Sequence, residues 1–130
     1  LGNVATLLGA TMEPPTNLPT TNLPTTITVT LIWRSEAETS TSYHVFLHLV
    51  GSEGELVAQS DGIPAAWSRP TTGWLPGEYV TDVHTLTLPP DAPAGKYTLL
   101  AGLYVPGGER LTAPDGSDAI YLTTITVQAQ

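Results

Sequence analysis

Three histidines, two groups of carboxylates and two closely spaced tryptophans are the residues of this chain whose types could do chemistry. His44 and His48 stand four apart, flanking Phe46, in a run of alternating apolar residues. Four residues of strand cover about 13 Å, too far for both imidazoles to hold one ion, so a zinc site would need His84 from another strand. They read instead as hydrogen-bonded histidines at a sheet surface. Asp61, Glu78 and Asp82 surround one long loop, and Asp115 and Asp118 lie in an Asp-Gly-Ser-Asp turn near the C-terminal end. A calcium site would need an oxygen-rich loop, but the helix-loop-helix pattern is missing, and ordinary turn chemistry accounts for these acids. No metal and no cofactor is expected. Asp61 with Glu78 or Asp82 could make a glycosidase pair. There is no nucleophile-elbow serine, no cysteine and no phosphate-cradling glycine loop, and the serines fall in turns and loops without a matching histidine. Catalysis is therefore not expected.

The stretch Gln59 to Glu78, QSDGIPAAWSRPTTGWLPGE, holds Trp67 and Trp74 together with Pro64, Pro70 and Pro76. No regular strand or helix accommodates that spacing, so residues 61–77 form a long ordered loop, either a structural clasp or a binding surface. Exposed indoles stack on the apolar faces of sugar rings. Trp74, flanked by Gly73 and Leu75-Pro76-Gly77, is expected to fold back and plug the core, whereas Trp67, between Ala66 and Ser68, is expected to stay exposed. Asp61, Trp67, Trp74, Glu78 and Asp82 make the candidate ligand-binding set.

The elements that must position these residues are strands. Period-two alternation recurs from end to end, with glycine or proline at nearly every break and no amphipathic helical spacing. Val4 to Met12 reads as an edge strand with a bulge at Leu7-Leu8-Gly9. Residues 14–26, including the repeated Thr-Asn-Leu-Pro-Thr of 16–25, read as a proline-rich loop. Ile27, Val29, Leu31 and Trp33 line the core face of a central strand, and Tyr43 to Val50 is apolar on both faces and so covered on both. Gly51 to Gly54 turns into a strand over 55–60, and Tyr79 to Leu88, Lys96 to Val105 and Ala119 to Val127 complete the set. A change of phase at Thr123 and Thr124 predicts a bulge in the last. The fold class is all-β, a two-sheet immunoglobulin-like sandwich of about seven strands forming a single domain over residues 1–130.

Four basic residues face twelve acidic ones, a net charge of −8, which excludes nucleic acid as a partner because phosphate binding needs clustered Lys and Arg. Without cysteine, stability comes from packing alone, and no apolar run is long enough to span a bilayer as a helix. The start at Leu1 reads as an excised domain, with any targeting or membrane segment upstream.

The run Tyr43-x-Val-Phe-x-His-Leu49, Gly54-x-Leu-Val-Ala-Gln-x-Asp61, Trp74-x-Pro-Gly-Glu78, Asp82, Gly95-x-Tyr97 and Gly102-Leu-Tyr104 resembles a known domain type. It is similar to the β-sandwich accessory domain near the C-termini of bacterial membrane glycosyltransferases of the protein-mannosyltransferase type and related surface proteins, many from Chloroflexi-like bacteria. The resemblance covers the chain from about Ile27 and implies a non-catalytic extracytoplasmic module, with transferase chemistry in a membrane portion this sequence lacks. The expected partner is carbohydrate, bound weakly through the loop from Asp61 to Glu78, or another domain of the parent protein. The alternative is a structural or interaction module with no ligand, and a small glycoside hydrolase is a third reading. An exposed Trp67 beside the acids would favour sugar; two buried tryptophans and a long bare edge would favour interaction.

Overall fold

The computed structural model describes residues 1–13, the backbone of 17–19, and residues 25–128. Alternating apolar residues build two packed sheets. Strands β1 (Ala5–Glu13), β3 (Thr25–Ser35) and β6 (Tyr79–Leu88) form a three-stranded antiparallel sheet in the order β1-β3-β6. The second sheet is ordered β2-β8-β7-β4-β5, from β2 (Asn17–Pro19), β8 (Ile120–Gln128), β7 (Gly95–Tyr104), β4 (His44–Val50) and β5 (Leu56–Gly62). All its pairings are antiparallel except that of β2, which runs parallel to β8. The proline-rich loop expected over 14–26 thus contributes three residues to a sheet edge, and Thr25 and Thr26 belong to β3; residues 14–16 and 20–24 of that expectation lie outside the described residues.

The core lies between the sheets. Ile27, Val29, Leu31 and Trp33 of β3 are fully buried against Val45, Leu47 and Leu49 of β4 and Leu99, Ala101 and Leu103 of β7. Each of these sets follows the strict two-residue period that places one face of a strand inward. β1 is an edge strand, and its register slips between Leu7 and Gly9, where the sequence indicates a bulge. The slip in β8 falls slightly earlier than expected: Leu99 faces Thr123 and Leu100 faces Tyr121, so Leu122 is the extra residue. Strand β5 runs two residues beyond the expected 55–60, so Asp61 stands on a strand and not in the loop.

Candidate functional site

The loop between β5 and β6 closes over one flank of the sandwich and is held from inside. β6 alternates so that Val80, Asp82, His84, Leu86 and Leu88 all face inward. Asp82 is wholly buried and accepts three hydrogen bonds: from the Trp33 indole at 3.2 Å, from His84 Nε2 at 2.8 Å and from the Ala65 amide at 2.7 Å. His84 Nδ1 then meets Ser60 Oγ at 2.8 Å, so a chain of polar contacts joins β6 of one sheet to β5 of the other. A buried carboxylate is tolerated only when its lone pairs are used, and these are.

Asp82 therefore anchors the start of an unusual turn. Ala65, Ala66 and Trp67 all have left-handed backbone angles, with φ of 57°, 55° and 70°. The Trp67 amide donates to the Ile63 carbonyl and the Arg69 amide to the Pro64 carbonyl, closing a left-handed coil without glycine. Each such residue costs about 1–2 kcal/mol, so the surroundings must impose the conformation. The result is a Trp67 that stays 62% exposed while its edge lies on Gly62, where a Cβ would approach Cε2 to 2.6 Å. The other half of the loop is pinned separately. Trp74 is buried and donates to the Arg69 carbonyl, Arg69 pairs with Glu78, and Glu78 Oε1 accepts from the Leu75 amide. Arg69 and that amide hold the Glu78 carboxyl below its ordinary range.

Trp67 borders a polar and aromatic patch on the outer face of the five-stranded sheet. Its ring meets His44 edge-on at 5.3 Å, and His44 meets its cross-strand partner Tyr104 at 5.6 Å. Two pairs further along, Gly102 opposes Phe46, and the Phe46 ring lies in the space a side chain at Gly102 would take. The turn over 105–109 closes through the Val105 amide and Glu109 carbonyl and delivers Arg110 above Phe46, 4.1 Å from the ring centre. Phe46, His48, Asp61, Tyr104, Gly108 and Arg110 enclose a pocket of about 150 Å³. Within it His48 Nε2 is buried with no hydrogen-bond partner, and Asp61 Oδ1 is 3.5 Å away, too far for a good bond. Burial holds the His48 imidazole below its ordinary pKa although Asp61 pulls it upward, and burial raises the Tyr104 phenol. A second pocket of about 200 Å³ lies on the other side of Asp61, walled by Gly62, Trp67, Ser60 and His84.

Of the five expected site residues, the structure brings Asp61 and Trp67 together and sends the others elsewhere. Trp74 plugs the core, as its neighbours suggest. Glu78 clamps the loop, and Asp82 is sealed between the sheets, out of reach of any ligand. The expectation that no serine meets a histidine is corrected by Ser60 and His84. His44, His48, Tyr104 and Arg110 join Asp61 and Trp67 in the candidate site. For His44, His48 and Tyr104 the signal is register, since His44, Phe46 and His48 share the outward phase of β4 and Tyr104 faces His44. No group of three or more potential metal ligands occurs among the described residues. A further cavity of about 790 Å³ between Leu1, Leu7, Thr112 and Ile120 offers one carboxylate, Glu36, already paired to Arg34 at 2.6 Å.

No family model matches this sequence, and no curated protein matches it. Among solved structures, the C-terminal domain of Wzt superposes on 98% of this chain and 75% of its own with a TM-score of 0.60 at 14% identity. A β-glucuronidase from glycoside hydrolase family 2 matches 96% of this chain but only 11% of its own length, with a TM-score of 0.55 at 9% identity. At these identities the likeness is one of fold: a β-sandwich that recurs as part of larger proteins.

Proposed function

We propose that this chain is a non-catalytic accessory domain that binds a neutral sugar weakly on the outer face of its five-stranded sheet. One observation carries the reading: an exposed indole stands beside a pocket whose polar wall of His48, Asp61, Tyr104 and Arg110 includes a buried ring nitrogen with no partner. An aromatic shelf with a few convergent polar groups is what a sugar needs, a ring for its apolar face and donors and acceptors for its hydroxyls. The charges favour a neutral ligand. Arg110 is offset by Asp61 and by Asp118 at 3.5 Å, and burial keeps His48 neutral at pH 7.

The likeness to part of a glycoside hydrolase is compatible with this role and assigns none. The scarcity of charged residues and the abundance of Thr, Pro and Gly suit a module outside the cytoplasm, carried by a larger surface or membrane protein. A second reading rests on β1, an edge strand that leaves Leu8 exposed and could pair with another protein. Titrating the domain with glucose, galactose, mannose and their oligosaccharides, followed by amide and indole NMR, separates the two. Shifts at the Trp67 indole, Asp61 and Arg110 support the sugar site, and a silent spectrum across the panel leaves β1 as the working surface.

A further inference from the structure

We infer that the site takes two consecutive residues of a glycan, one in the Arg110 pocket and the next against Trp67, with the linkage lying over Asp61. This rests on the sugar reading above and adds a length to it. Two pockets adjoin, and Asp61 lines both. At about 150 and 200 Å³ each is smaller than the ~300 Å³ at which drug-sized sites begin, so each suits a single ring.

The aromatic groups run in the same direction. Tyr104 lines the first pocket and Trp67 the second, and His44 bridges them through edge-on contacts of 5.6 and 5.3 Å, so the two rings lie no more than about 11 Å apart. The chemistry of the two ends differs. The Arg110 pocket holds the polar wall, with the unpartnered His48 ring nitrogen buried within it, and is the discriminating subsite. The Trp67 groove offers the indole together with exposed Val83 and Thr85, while His84 and Ser60 spend their ring nitrogen and hydroxyl on each other. It adds affinity by stacking, with little choice among sugars. Asp61, 32% exposed along its side chain and placed between the pockets, can accept hydroxyls from both rings at once.

The length is testable on the intact 130-residue domain. Methyl glycosides of glucose, galactose and mannose are compared by calorimetry and NMR with the corresponding di- and trisaccharides, in α- and β-linked forms. For the sugar that binds, the disaccharide should bind about tenfold tighter than the methyl glycoside, the factor that about 1.4 kcal/mol supplies, and a third ring should add less than twofold. Trp67→Ala should bring the disaccharide down to the affinity the unaltered domain shows for the methyl glycoside, while Trp67→Phe keeps part of the gain. An unchanged amide spectrum away from the loop confirms that the variants are folded. A disaccharide no tighter than its monosaccharide, an equal loss of both in Trp67→Ala, or a trisaccharide much tighter than the disaccharide overturns the two-ring site and leaves the sugar reading intact. Silence at every length overturns both.

Discussion

Replacing Asp82 by Asn tests how the loop is held. The carboxylate has two oxygens for three donors: Oδ1 takes the Ala65 amide, and Oδ2 takes the Trp33 indole and His84 Nε2. An asparagine of the same shape keeps one oxygen and turns the other into an NH2. With the oxygen toward Trp33, the NH2 confronts the Ala65 amide and the left-handed turn loses its anchor. With the oxygen toward Ala65, the NH2 confronts the indole N–H in the core. Either way at least one buried donor is left without an acceptor, at about 1–3 kcal/mol. Asp82→Asn should therefore lose about 2 kcal/mol in urea unfolding, with an unchanged m-value, and about 6–10 °C in melting temperature for a domain of this size. Asp82→Ala, which strands all three donors, should lose more. The Trp67 indole resonance should move in both variants although that ring does not touch Asp82. A loss below about 0.5 kcal/mol, or a stationary Trp67 signal, would refute the assignment of Asp82 as the anchor.

Ala66→Gly should raise stability by up to about 1 kcal/mol, since relief of the left-handed cost outweighs the entropy glycine adds to the unfolded chain, and thermal unfolding will show it as a higher midpoint. His48 is held neutral by burial, so its folded pKa lies below the ordinary 6.5. Between those two values the unfolded chain binds the extra proton, and this part of the stability is complete above pH 6.5 and lost as pH falls through the folded value. Denaturation of His48→Phe against pH should lack that loss. Ser60, His84 and Asp82 share the bond order of a nucleophilic relay, yet all face inward and serve the clasp. Incubation with a fluorophosphonate should leave the mass unchanged, and an adduct on Ser60 would reopen the hydrolase reading.

Much of the fold was legible because burial follows a two-residue period. Ile27 to Trp33 declared a core face outright, and Gly73 and Pro76 around Trp74 marked a ring that folds back. The inward place of Asp82 is legible too, for it shares its phase with Val80, Leu86 and Leu88, and an acid in that row is an inward acid. Other parts had no local signal. Ala-Ala-Trp contains none of the residues that favour a left-handed backbone, so its shape comes from Asp82 seventeen positions away. Arg110 reaches Phe46 only because the turn after β7 closes back on the sheet, a distance that linear spacing does not encode.

The anchor of the Trp67 turn sits on β6 in one sheet, while the pocket wall of His48, Asp61 and Tyr104 stands on β4, β5 and β7 of the other. The site is thus a caliper across the sandwich, and its jaws are aligned only when the two sheets are docked in their final register. A graft of the five-stranded sheet, or a peptide spanning the loop, would carry the contact residues and lose their alignment. On the proposed reading, sugar affinity would report sheet-to-sheet docking, and a bound sugar would return its binding energy to that docking by mass action.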